Sequence, residues 1–188
     1  GPQNSNSDER IRDVLIESNT FRSGIGTQVS LVVWARQTTI RNNIFFIDAS
    51  DTAISIGQRG IEPYSQDVRV LNNTFYGTGT PRGVSIGTAA DTTVRNNLMA
   101  NAGTMISGSG TNLVQSNNLT TASPGFVTTP PTQSSHFVLL MTSPARDAGT
   151  SVPMLNDYGE QARPSKLFDI GAWEYQDQKP TIGSIAST

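Results

Sequence analysis

Cysteine is absent from the 188 residues. That excludes disulfide staples and thiolate metal sites but leaves secretion open, since a long stacked core needs no staples. Basic clusters are missing too. Thirteen Lys and Arg face fifteen Asp and Glu, for a net charge of −2, and no like-charge run stands out, which argues against nucleic acid and anionic membrane as partners. No stretch is long or apolar enough to span a bilayer. The single histidine, His136, lies in HFVLLM, where packing or a surface role outweighs catalysis. Only two lysines occur, Lys166 and Lys179. Hydrophobic residues make up 35%, low for a globular domain, while Gly, Ser, Thr and Asn are plentiful. Such a composition suits a narrow repeat structure with much turn and surface, and the length allows one domain with its own core.

What the chain does contain is one phrase written five times: VLIESNTF at 14–21, TTIRNNIF at 38–45, VRVLNNTF at 68–75, TTVRNNLM at 92–99 and, more loosely, NLVQSNNL at 112–119. The second residue of each polar pair falls at Asn19, Asn43, Asn73, Asn97 and Asn117, giving spacings of 24, 30, 24 and 20 residues. Repeats of that period mark a solenoid, in which each unit buries its apolar face only by stacking on its neighbours. Val14/Ile16, Thr38/Ile40, Val68/Val70 and Thr92/Val94 alternate with polar or exposed neighbours, the period of a strand. β-branched residues dominate these positions, as a pleated buried face prefers.

Each strand ends in a polar pair that suits a tight corner, because Asn tolerates left-handed backbone angles. Stacked amides can also bond one another, and Asn42, Asn72 and Asn96 are expected to form such a ladder. A second strand precedes the next phrase at 30–32, 54–56, 84–86 and 104–106. Val32 to Ile40, Ile86 to Val94 and Ile106 to Val114 are all offset by eight, whereas Ile56 to Val70 is fourteen. Six residues are therefore inserted within 57–66, and an insertion projecting from a regular coil is a favoured place for function.

Over residues 12–121 the phrase resembles the repeat of right-handed parallel β-helix proteins, the pectate-lyase-like superfamily. The resemblance implies an all-β, right-handed single-stranded parallel β-helix of about five coils. The expected layout is a tail at 1–11, coils at 12–122, a last coil and cap at 123–175 and a polar tail at 176–188. The superfamily holds lyases, hydrolases, epimerases, spikes and binding modules, so fold alone does not decide activity. The pieces SPARDAG at 143–149, DYGEQAR at 157–163 and DIGAWEY at 169–175 are similar to the closing segment of bacterial secreted and surface β-helix proteins, which implies that location. Asp147, Asp157, Asp169 and Glu174 read either as an oxygen-rich calcium site or as turn caps pairing with Arg146 and Arg163, the second being favoured. Trp173 and Tyr175 are expected to pack on the core as part of a cap over the last coil.

Lyases of this fold need a Lys or Arg base, and both lysines lie beyond the repeats. Hydrolases bring carboxylates together on one strand face, but Asp13, Asp67 and Asp91 share a position just before the strand, which marks a turn residue. Arginine is the stronger candidate. Arg41 and Arg95 share an outward column read as Glu17, Arg41, Leu71, Arg95 and Gln115, beside a column of Leu15, Thr39, Arg69, Thr93 and Leu113. Arg41, Arg69 and Arg95 are thus expected to form a basic strip, with Arg59 and Tyr64 of the inserted loop and Trp34 nearby. Arginine forks bind uronate carboxylates and aromatic faces stack on sugars. A solvated sheet face is an equal alternative. The expected function is a secreted or surface domain binding polysaccharide, acidic if the strip is the site, and non-catalytic because the superfamily's catalytic constellations are missing. The alternatives are a fragment of a lyase or epimerase acting on uronic-acid glycans, and a structural stalk. The initial Gly-Pro resembles a protease scar, and no amphipathic helix precedes Arg12. The chain is therefore expected to be the C-terminal part of something longer or an excised module, with residues 3–10 or a second molecule covering the first coil.

Overall fold

The computed structural model describes residues 12–22, 27–31, 35–48, 50–57, 65–101, 103–164 and 167–176. It is all-β, with parallel strands in three sheets. The first sheet holds β1 (Leu15–Glu17), β4 (Arg36–Arg41), β7 (Ser65–Leu71), β11 (Thr93–Arg95) and β14 (Val114–Ser116), with β10 (Ala89–Ala90) beside β7. The second holds β2 (Thr20–Arg22), β5 (Ile44–Ile47), β8 (Thr74–Gly77), β12 (Leu98–Ala100) and β15 (Leu119–Thr121). The third holds β3 (Thr27–Leu31), β6 (Thr52–Ile56), β9 (Arg82–Ile86) and β13 (Thr104–Gly108). The chain visits the sheets in the same order repeat after repeat, so like residues stack on like.

Register makes the core a set of columns. Ile16, Ile40, Val70 and Val94 align in the first sheet, and Ile54, Val84 and Ile106 in the third. In the second, Phe21, Phe45, Phe75 and Met99 align. The rings of Phe21 and Phe45 stack at 4.7 Å, and those of Phe45 and Phe75 at 5.2 Å, close to the spacing of neighbouring strands. Each such side chain, fully buried, contributes roughly 1.5–3 kcal/mol.

Two corners per repeat are left-handed. Asp13, Gln37, Asp67, Asp91 and Asn112 precede the first-sheet strands or begin their central stretch, and Ser18, Asn42, Asn72, Asn96 and Asn117 follow them. All ten have φ between 50° and 56°. The turn role of Asp13, Asp67 and Asp91 matches their shared place in the sequence.

The amide ladder, however, runs through the next residue. Asn43 donates its backbone N–H and Nδ2 to Asn73 Oδ1, both at 3.0 Å. Asn73 does the same to Asn97, and Asn97 to Asn118. Each Nδ2 also reaches the carbonyl of Ile16, Ile40, Val70 or Val94 one repeat back. Asn42, Asn72 and Asn96 are not that ladder. Their left-handed backbone turns the side chains outward, and among them only Asn96 Nδ2 to Asn72 Oδ1 forms a rung. The fifth repeat is also shifted by one, since Val94 pairs with Gln115 and Asn97 bonds Asn118. The outward columns accordingly end in Ser116 and Val114, not Gln115 and Leu113. In the third sheet Leu31, Ile56, Ile86 and Gly108 align, so the eight-residue offset does not hold in every repeat. The six-residue insertion stands, because Ile56 and Ser65 pair with Ile86 and Ala89.

The segment from 123 onward is not a cap over the last repeat. It is a strap running back along the flank. Ala148 meets Asn117, Thr150 meets Asn96, Asp169 meets Asn72, and Asn156 meets Asn42. Tyr158 reaches Thr20 and Thr132 reaches Arg22, both in the first repeat. The physical reason lies on the second sheet, whose outward Ile44, Leu98, Phe46 and Tyr76 are apolar and need cover. Phe126 and Phe137 pack there edge-to-face, Phe137 lying 5.2 Å from Phe46. Gly171 fits because a Cβ would lie 2.8 Å from Thr74 Oγ1. Trp173 and Tyr175 belong to this flank cluster, not to an end cap. The expected cover from residues 3–10 lies outside the described residues.

Candidate functional site

The outward face of the first sheet and the strap together make a groove. Three adjoining depressions form it. The largest, about 800 Å³, lies between Glu17, Ser18 and Arg41 on the sheet and Val152–Asn156 on the strap, with Asp157 and Glu160 at its side. Arg41 and Pro153 are shared with a second, about 350 Å³, lined by Asp13, Leu15, Gln37, Thr39, Arg69 and Leu71. Gln37 is shared with a third of about 350 Å³, beside Arg12, Arg36, Gln66 and Asp67. Strand alternation turns Thr39, Arg41 and Arg69 outward while Ile40 and Val70 face the core.

The arginines stand in the expected columns but do not make a basic strip. Arg41 lies in register with Glu17 and forks onto it, Nε to Oε1 at 2.6 Å and Nη2 to Oε2 at 3.0 Å. Its Nη1 donates to Pro153 O at 2.9 Å, which ties the strap to the sheet. Arg69, half-exposed, contacts Asp67 at 3.0 Å. Arg95 lies beyond Leu71, and Leu71 is covered by Val152, Met154 and Phe168. An apolar residue thus interrupts the column between Arg41 and Arg95. Arg59, Tyr64 and Trp34 lie outside the described residues, as do Lys166 and Lys179.

The acidic residues of the strap form a clasp. Asp157 Oδ1 accepts the N–H groups of Gly159 and Gln161, and Oδ2 accepts that of Glu174. Asp169 accepts those of Asp147 and Tyr175. Arg163, fully buried, donates to Glu174, Asn42 Oδ1 and the carbonyls of Gly171 and Ala172. Burial pushes the Glu174 carboxyl up to about 7 against the opposing pull of Arg163, and burial also raises Asp169. Desolvation lowers the Arg163 guanidinium from its ordinary value. Asp147 instead pairs at the surface with Arg146 at 3.3 Å. Asp147, Asp157 and Asp169 therefore spend their oxygens on backbone and Arg146. Among the described residues no group of three or more His, Cys, Asp or Glu is placed to hold a metal ion.

Reasoning from the sequence missed the strap as a groove wall, with Pro153 at its centre. A signal for the Glu17–Arg41 pair did exist, since both stood in one outward column. Comparison with protein-family models, curated proteins and solved structures found no match. Among the described residues no helix is long and apolar enough to cross a membrane.

Proposed function

We propose that the chain is a right-handed parallel β-helix of about five coils, from a secreted or cell-surface bacterial protein, and that it binds a linear polysaccharide along the groove. The winding is supported by the fixed order in which the chain visits three parallel sheets, and the hand by the strong bias of parallel crossovers. One observation carries the binding reading: three depressions joined through Arg41, Pro153 and Gln37 across adjacent strands. An elongated trough of mixed polar and apolar side chains on a rigid sheet suits an extended chain of sugars better than a compact ligand. A non-catalytic role is supported by the arginines. Arg41 is occupied by Glu17 and Pro153 O, and Arg69 contacts Asp67, so neither guanidinium stands unpartnered over the groove as a general base would.

Thr39→Trp fills the floor of the middle depression, and Ser85→Trp alters the third sheet instead. Affinity electrophoresis against a panel of immobilised glycans should show at least about tenfold weaker binding for Thr39→Trp and parent-like binding for Ser85→Trp. Full binding by Thr39→Trp would move the site off the groove. Appearance of unsaturated-uronate absorbance would favour a lyase.

A further inference from the structure

Resting on the glycan-binding reading above, we infer that the groove takes an uncharged, hydroxyl-rich polysaccharide and not a polyuronate. A polyuronate brings one carboxylate per sugar, so its site must offer positive charge that the protein has not already spent. The three depressions are lined by four arginines against five carboxylates. The balance is not an accident of side-chain rotation. Glu17 and Arg41 are opposite partners on neighbouring strands, so the sheet register itself holds them together.

The atoms make the case more sharply than the count. The Nε–Nη2 edge of Arg41 is the edge that clamps a carboxylate, and Glu17 occupies both of its donors. Nη1 is drawn to Pro153 O. A uronate arriving here would have to displace Glu17 or sit beside it, like charge against like charge in a half-buried place. Arg69 and Arg36 are the more available cations, but Asp67 stands 3.0 Å from Arg69 and lines the third depression together with Arg36, whose buried Nε has no partner.

A neutral sugar meets the same surface differently. Every hydroxyl both donates and accepts, and a paired arginine and carboxylate present donors and acceptors side by side. Thr39 and Gln37 on the floor do the same with one side chain each. The groove also carries the apolar surface that the C–H faces of sugar rings require. Leu15 is 53% exposed, Leu155 is 84% exposed, and Pro153 is shared by the first and second depressions.

Calorimetric titration with xylan or mannan oligosaccharides and with oligogalacturonate, at low and roughly tenfold higher salt, tests this. The neutral oligosaccharides should bind with affinities that change less than about twofold with salt, because no net charge is exchanged. Oligogalacturonate should bind at least about tenfold more weakly. Glu17→Gln and Asp67→Asn, each freeing one arginine, should shift preference toward oligogalacturonate and make its binding fall with salt. Asp67→Asn keeps a residue that tolerates the left-handed backbone, so its result stands if Glu17→Gln folds poorly. Preference of the parent for oligogalacturonate, weakened by salt, would overturn the inference while leaving the binding reading in place. Binding of no glycan in either class would overturn the binding reading and this inference with it.

Discussion

Asn73 and Arg163 are both buried polar side chains, and the repeats and the strap satisfy them by opposite means. Asn73 is served by copies of itself: Asn43 donates to its Oδ1, and its Nδ2 donates to Asn97 Oδ1 and to the carbonyls of Ile40 and Leu71, which share its two protons. Every bond is a translation of its neighbour. Arg163 is served by Glu174, Asn42, Gly171 and Ala172, residues with nothing in common but position, and its buried Nε has no partner. A ladder is neutral and adds rungs without new desolvation of charge. A clasp of ions must recover the cost of burying each charge from one arrangement.

The largest expected effect breaks the clasp. Arg163→Met leaves Glu174 buried without its cation and should destabilise by about 3–5 kcal/mol in urea unfolding, with Glu174→Gln added to it restoring much of the loss. A cost below about 1 kcal/mol would mean that the strap is held by its apolar cluster alone. Next comes the ladder. Asn73→Ala strands the donors of Asn43 and the carbonyl of Ile40, and should cost about 2–4 kcal/mol. Asn72→Ala, one residue earlier, loses a left-handed corner and a bond to Asp169 O, and should cost only about 1–2 kcal/mol. Equal costs would erase the distinction between rung and corner.

A pH series gives a smaller effect. The Glu174 carboxyl is raised from 4.5 to about 7 in the fold, so its ionisation is disfavoured there. Its contribution is complete below about pH 4.5 and is lost as pH rises through about 7. Stability should fall by roughly 1–3 kcal/mol across that window in the parent, and Glu174→Gln should remove the slope. A parent without the slope would mean that Arg163 keeps the carboxylate charged throughout. Smallest of all, Glu17→Gln should change stability by no more than about 1 kcal/mol, because the pair is partly solvated. Its effect belongs to ligand choice, which separates groove from scaffold.

The strands, the corners and the outward columns of Arg41, Arg69 and Arg95 were legible because period two and period 24 are written directly into residue order. The rung was misplaced by one residue because Asn-Asn offers two candidates. Only the backbone decides which is left-handed and which turns inward. The slip at 114–116 has a related cause: NLVQSNN contains two phases, and pairing with β11 selects one. The groove was half legible. Its floor followed from the columns, but its wall at Pro153 comes from residues more than a hundred positions away, where no local pattern applies.

Sequence by itself determined that the chain stacks strand on strand with β-branched columns inside, since similar units can bury their apolar faces only against one another. Tertiary structure decided where the aperiodic third goes and which charges remain available. The strap follows the apolar outer face of the second sheet, and Arg41 is neutralised by Glu17, brought alongside through register. Both depend on distances between residues far apart in the chain, and no spacing read along the chain specifies those.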